Sequence, residues 1–349
     1  MSDMSFGNKV LFCVASALLA SSVAGFVLML LSPRLTGLIA VICISALVCS
    51  GIFFGISQLL RDKEAKISIP SKVGVVVISL IIMFSTVLIN LAPIIVFPVN
   101  HDEAAYNELK RISENEESRV SEIKTDDLTG WRISAKNVKD TDPRPVVLCF
   151  LGNGMNSSAT TLMVYQDNES KYAPFTDDTD YVCIDYPGYG ISGGVPTDSS
   201  IKEMALKVFD EVSSWSTTSE VIAFGYSIGT GAAVYLASER EVAGLVVWAP
   251  YANSYDFFNN YLDIFHGPVK LLVRIKIDSD KYIKKVTCPI MIIASDKDEV
   301  IPYQSSRDLF AAANGSASDF VTVSGIGHND FWRDDKVLTN TYDFIGEVA

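Results

Sequence analysis

Gly225-Tyr226-Ser227-Ile228-Gly229 is the stretch on which the fold turns. Ahead of it Val221–Tyr226 is a short apolar run that reads as a strand, and after it Thr230–Arg240 is an alanine-rich helical stretch. A serine between a strand and a helix, with glycine two residues away on either side, marks a sharp turn that lifts the hydroxyl clear of the backbone. The glycines remove side chains that would clash in so tight a bend. The helix N-terminus beyond Ser227 favours developing negative charge, and the Ile228 N–H can donate to an oxyanion.

A serine hydroxyl becomes a nucleophile only beside a base. The chain has three histidines, His101, His266 and His328. Only His328 follows a core strand, on the Gly-rich loop Ser324–Asp330 after the run Phe320–Val323. The acid that orients the imidazole is expected after a strand, between serine and histidine in chain order. Ile290–Ala294 leads into Ser295-Asp296-Lys297-Asp298-Glu299, where three acids compete. Asp298 is the first choice, Asp296 the second and Glu299 the third. Ser227, Asp298 and His328 are the expected catalytic residues.

Working outward, Ser121–Lys124 and Gly130–Ser134 read as an opening hairpin. Val146–Leu151, Tyr181–Asp185, Leu245–Trp248 and the runs already named are short and rich in Val and Ile, as strands covered on both faces are. Helical stretches lie between and after them at Ser199–Trp215, Thr230–Arg240, Tyr303–Ala313 and Lys336–Val348. Alternation of this kind predicts an α/β fold, a mostly parallel sheet with helices on both faces. Ligands of such sheets bind beyond the carboxyl ends of the strands, where Ser227, Asp298 and His328 all lie.

These residues resemble the α/β-hydrolase superfamily, and within it the membrane-associated serine hydrolases that include monoacylglycerol and lysophospholipid lipases and depalmitoylases. The motifs run in the family's order over Ser121–Ile345. Phe150-Leu151-Gly152-Asn153-Gly154-Met155-Asn156 is similar to a His-Gly-Asn-Ala-Gly-Asn loop, with Leu151 where the family often has a bracing histidine. Asp185-Tyr186-Pro187-Gly188-Tyr189-Gly190-Ile191-Ser192, Asp298–Pro302 and Gly327–Asp330 match further motifs. The resemblance implies that the Asn153 N–H is the second oxyanion donor beside Ile228, that Asp185 is structural, and that residues 251–285 form a cap over the pocket. It also implies two-step acyl transfer with no metal or organic cofactor. The expected substrate is an ester or thioester of a lipid or acyl compound. A peptidase of the same fold and a non-catalytic membrane binding protein stay open as alternatives.

The 349-residue chain is asymmetric: 49% of it is apolar, and charges are scarce in its first hundred residues. Val10–Leu31, Leu35–Leu60 and Val73–Phe97 contain no charged residue, and each exceeds the roughly 20 helical residues that cross a bilayer. Three transmembrane helices are expected within a membrane anchor at 1–99, followed by an acidic stalk or surface helix at 100–127 and the hydrolase domain at 128–349. Ser22-Val23-Ala24 resembles a signal cleavage site, but the apolar run continues past it, so an uncleaved anchor is expected. Lys9 and the group Arg61, Lys63, Lys66 and Lys72 flank these runs on one side. By the positive-inside rule they are cytoplasmic, which leaves the hydrolase domain extracytoplasmic. A net charge of −13 excludes nucleic acid as an expected partner, since phosphate binding needs clustered Lys and Arg. The six cysteines show no metal or disulfide spacing and read as small core hydrophobes.

Overall fold

The computed structural model describes residues 51–52, 99–166, 172, 174–261, 266–267, 278–313 and 318–349. The chain divides into two compact units, Met1–Ile95 and Val96–Ala349. The three apolar runs lie outside the described residues, except that Gly51 and Ile52 of the second are helical. Among the described residues no helix is long and apolar enough to cross a membrane.

The second unit is built on one eight-stranded sheet. Its strands are β1 Val120–Thr125, β2 Leu128–Ile133, β3 Arg144–Phe150, β4 Asp180–Ile184, β5 Thr218–Tyr226, β6 Gly244–Trp248, β7 Ile290–Ser295 and β8 Ser318–Val323. They lie side by side in the order β1-β2-β4-β3-β5-β6-β7-β8. β2 pairs antiparallel with β1 and with β4, and all other neighbours are parallel. Successive strand residues alternate between two cores. Val146, Leu148, Phe150, Ala223 and Val247 face one core, and Val147, Cys149, Ile222, Phe224 and Trp248 face the other.

Helices cover both faces. α1 is Glu103–Ser113, α2 Ser157–Gln166, α3 Pro174–Asp177, α4 Asp198–Ser213, α5 Gly229–Glu239, α6 Ser254–Tyr261, α7 Ser279–Tyr282, α8 Tyr303–Ala312 and α9 Asp335–Val348. Val208 of α4, Val234 of α5 and Leu309 of α8 enter the first core, while Leu109 of α1, Val164 of α2 and Phe344 of α9 enter the second.

Two expectations change in physical detail. Of the two readings of residues 100–127, the surface helix is the one seen: α1 buries Ala105 and Leu109, and Tyr106 packs its ring 5.6 Å from that of Trp131. The Tyr106 hydroxyl and Lys110 Nζ both bond Glu122, at 2.8 and 2.6 Å, and residues 120–125 are the first strand. Strands β3 and β4 also start earlier than their apolar runs, because both begin with a buried charge. Arg144 Nε lies 2.7 Å from Asp180 Oδ1 with both side chains almost wholly buried, and Arg132 reaches the same carboxylate. Hydrophobic patterning cannot register such a pair, since buried charges persist only when paired and hydrogen-bonded.

Cys149 and Cys183 are buried and free, and Cys288 is half-buried. Burial pushes all three thiols up, Cys288 to about 11, so none carries the thiolate that a cysteine nucleophile needs. Cys13, Cys43 and Cys49 lie outside the described residues.

Candidate active site

Strand β5 and helix α5 meet at Ser227, whose φ of 53° lies in the left-handed region that non-glycine residues rarely enter. Crowding on both sides dictates the two flanking glycines. A Cβ on Gly225 would lie 2.7 Å from Thr230 Cα, and one on Gly229 would lie 2.2 Å from the Phe150 carbonyl oxygen. The strained residue is pinned by its own backbone: Ser227 N donates to Trp248 O at 2.9 Å, and Thr230 N and Oγ1 donate to Ser227 O at 3.0 and 2.6 Å. No side chain caps α5, which leaves the positive end of its dipole beside Ser227.

The structure brings three of the sequence-predicted residues into one line. His328 Nε2 is 2.9 Å from Ser227 Oγ, and His328 Nδ1 is 2.8 Å from Asp298 Oδ2. Their side chains are buried. Asp298 is fixed by its other oxygen, which accepts the Val300 and Ile301 N–H groups at 2.8 Å each.

The competing acids have separate tasks. Asp296 Oδ1 accepts the Gly325 N–H at 3.0 Å, and Glu299 Oε2 accepts the His328 N–H at 3.1 Å. Both carboxylates thus bond the backbone of the histidine loop, and only Asp298 meets the imidazole. Two further residues that sequence reasoning missed brace the same loop. The Tyr226 hydroxyl donates to His328 O at 2.6 Å while its ring stacks on the imidazole, centroids 5.3 Å apart. Ser295 Oγ donates to Ile326 O at 2.6 Å. Both sit beside positions already singled out, so adjacency was the available signal, but their partners are set by tertiary contact. The remaining histidines lie elsewhere: His101 bonds the Gly190 carbonyl, and His266 is an exposed residue of the insertion.

The loop after β3 carries Asn153, which is exposed. Leu151 at its head is buried, and the bracing comes from the Tyr186 hydroxyl, which donates to Leu151 O at 2.8 Å. Gly152 packs against the Tyr226 ring, which a Cβ there would meet at 2.8 Å. Asp185 bonds the start of α2, accepting the Ser157 N–H at 2.6 Å. Burial pushes its carboxyl up to about 6, against the pull of the Ser157 bonds. That contact ties β4 to α2, away from the imidazole. Of the insertion 251–285, the described part is residues 251–253 and α6, where Phe258 packs on the core, together with residues 266–267 and 278–285; Phe265, Leu271, Leu272, Val273 and Ile275 lie outside the described residues.

Comparison with known proteins bears on the fold that carries this site. The lysophosphatidylserine lipase ABHD12 of Macaca fascicularis is 31% identical over 192 residues, 48% of this chain and 48% of that protein. An uncharacterized protein of Mycobacterium tuberculosis is 32% identical over 152 residues, 42% of this chain and 52% of its own length. The chain spans about half the length of the curated relatives it matches. No family model matches the sequence. Among solved structures, an alpha-beta hydrolase from Vibrio vulnificus superposes with a TM-score of 0.54 at 20% identity, covering 71% of this chain and 87% of that one. The Pyrococcus furiosus esterase Pf2001 superposes with a TM-score of 0.52 at 16% identity, over 72% and 95%. At such identities the superpositions speak for the fold. With the strand order, the tight turn at Ser227 and these superpositions in agreement, the chain has the α/β-hydrolase fold, and about half of it is similar in sequence to the lysophosphatidylserine lipase.

Proposed function

We propose that the chain is a membrane-anchored serine hydrolase that cleaves ester or thioester bonds of lipid or acyl substrates through an acyl-enzyme. The observation that carries this reading is the hydrogen-bonded line from Ser227 through His328 to Asp298, at 2.9 and 2.8 Å, at the head of an uncapped helix. His328 Nε2 takes the Ser227 proton as Oγ attacks the carbonyl carbon, and Asp298 holds Nδ1–H and stabilises the imidazolium. The Ile228 and Asn153 N–H groups receive the oxyanion. The proton then passes from His328 to the departing alcohol or thiol. Water, deprotonated by the same imidazole, releases the acid and restores Ser227.

The substrate class rests on three supports. The lysophosphatidylserine lipase is a relative over half its length. The insertion 251–285 is rich in Phe, Tyr and Leu, and in this reading it lines the acyl site. The apolar runs at 10–31, 35–60 and 73–97 would anchor the enzyme where such esters reside.

Ser227→Ala is expected to abolish hydrolysis of a panel of long-chain acyl esters, a loss on the order of 10³-fold or more, with the circular dichroism of the wild type retained. Normal turnover by the folded variant would refute the reading. The division of labour among the acids gives a second test. Asp298→Asn should reduce kcat by about 10³-fold or more. Asp296→Asn should cost no more than about fivefold, the size of one loop hydrogen bond of about 1 kcal/mol. Equal losses would move the orienting role off Asp298.

Topology follows from Lys9, Arg61, Lys63, Lys66 and Lys72, whose retention in the cytoplasm leaves the hydrolase domain outside. Protease added to intact cells or spheroplasts should digest that domain and spare a tag placed before Lys9. A domain protected until the membrane is broken would invert the topology and move the substrate pool to the cytoplasm.

A further inference from the structure

Val99, Ile191 and Val195 are the large hydrophobic side chains left exposed among the described residues, at 45%, 46% and 68%. Single exposed apolar residues are ordinary, but these fall on two segments that are tied together. The Gly190 N–H donates to Asn100 O at 3.1 Å, and the His101 ring bonds Gly190 O. Asn100 Nδ2 donates to Gly154 O at 2.8 Å, one residue beyond Asn153. The segment 99–101 therefore clamps the loop after β3 and the loop after β4, both at the carboxyl ends of the strands.

The loop after β4 is fixed in shape. Gly190 has a φ of 51°, and a Cβ there would lie 1.9 Å from Asp185 Oδ2. The valine and isoleucine are thus held outward by a loop whose backbone admits no side chain at its tightest point. The stretch Pro187–Thr197 contains no charged residue in a chain that is 20% charged, and Pro98–His101 contains none either. Asn100 follows Phe97, the last residue of the third apolar run, by three residues, and three residues span at most about 11 Å. The exposed Asp127 carboxylate borders the rim at Gly193, where a Cβ would lie 2.8 Å from its Oδ2, but an apolar rim that close along the chain to an apolar run suits a lipid surface, which rewards buried apolar area. A folded protein partner would ordinarily add polar or charged groups around such a patch.

We propose that Val99, Ile191 and Val195 form a docking rim that rests in the lipid surface and holds the loops after β3 and β4, with Asn153 on the first of them, at the bilayer. This rests on the reading of the chain as a membrane-anchored hydrolase. An acyl ester then reaches Ser227 from the lipid interface without passing through bulk water.

The test uses the full chain in phosphatidylcholine vesicles with brominated acyl chains, which quench tryptophan at the lipid surface. Val195→Trp and, as an independent position should that variant fail to fold, Ile191→Trp are compared with Ser219→Trp. Ser219 is exposed near the start of β5, at the opposite end of that strand from Ser227. The rim variants are expected to lose most of their added emission in brominated relative to ordinary vesicles, and Ser219→Trp to lose none. Rim tryptophans quenched no more than Ser219→Trp would overturn the proposal, whether the patch then meets water or a protein. The readout needs no turnover, so a failure of lipid docking and a failure of the hydrolase reading are seen separately.

Discussion

Helix α5 meets the end of strand β3 so closely that a single hydrogen is all that fits between Gly229 and the Phe150 carbonyl. With the helix seated there, the chain has two residues, Ser227 and Ile228, in which to turn from β5 into α5, and Ser227 takes the left-handed region. The conformation costs on the order of 1–2 kcal/mol in a residue with a Cβ. It is offset by hydrogen bonds at both backbone ends of the serine, from its N–H to the Trp248 carbonyl and from Thr230 to its own carbonyl. Loosening the approach at Gly229 would let the turn relax and carry the hydroxyl away from His328. Strain, helix position and the geometry of Oγ are one constraint.

The histidine loop is secured at the same end of the sheet. It leaves β8 through Gly325 and Gly327, a stretch with little side-chain packing of its own. Its order comes from the neighbouring turn after β7, whose acids bond the Gly325 N–H, the His328 N–H and the imidazole in turn. Tyr226, adjacent to the serine, adds a hydroxyl bond and a stacked ring. Parallel strands bring these turns together at one edge, so residues 71 and 101 positions apart from Ser227 in sequence arrive within hydrogen-bond reach.

Much of this was legible in the chain. Alternating Val- and Ile-rich runs and helical stretches specified a parallel sheet, and the Gly-x-Ser-x-Gly setting with one well-placed histidine specified which residues should converge. The misses share a cause. Helix α2 escaped notice because its buried face is Ser157, Ser158, Thr160 and Thr161 with Val164 alone apolar, which makes no apolar period. The starts of β3 and β4 were hidden by the buried Arg144–Asp180 pair. Polar groups that satisfy one another inside a fold leave no hydrophobic pattern. The choice among Asp296, Asp298 and Glu299 depended on which carboxylate the turn aims at the imidazole, a matter of tertiary geometry.

The central claim is that this arrangement makes Ser227, alone among the chain's serines, a nucleophile. The most direct measurement is mass-spectrometric mapping of the purified full chain after exposure to a fluorophosphonate. A single phosphonyl adduct on the peptide carrying Ser227 is the predicted result. An unmodified Ser227 in the folded protein, or an adduct on a different serine, would contradict it.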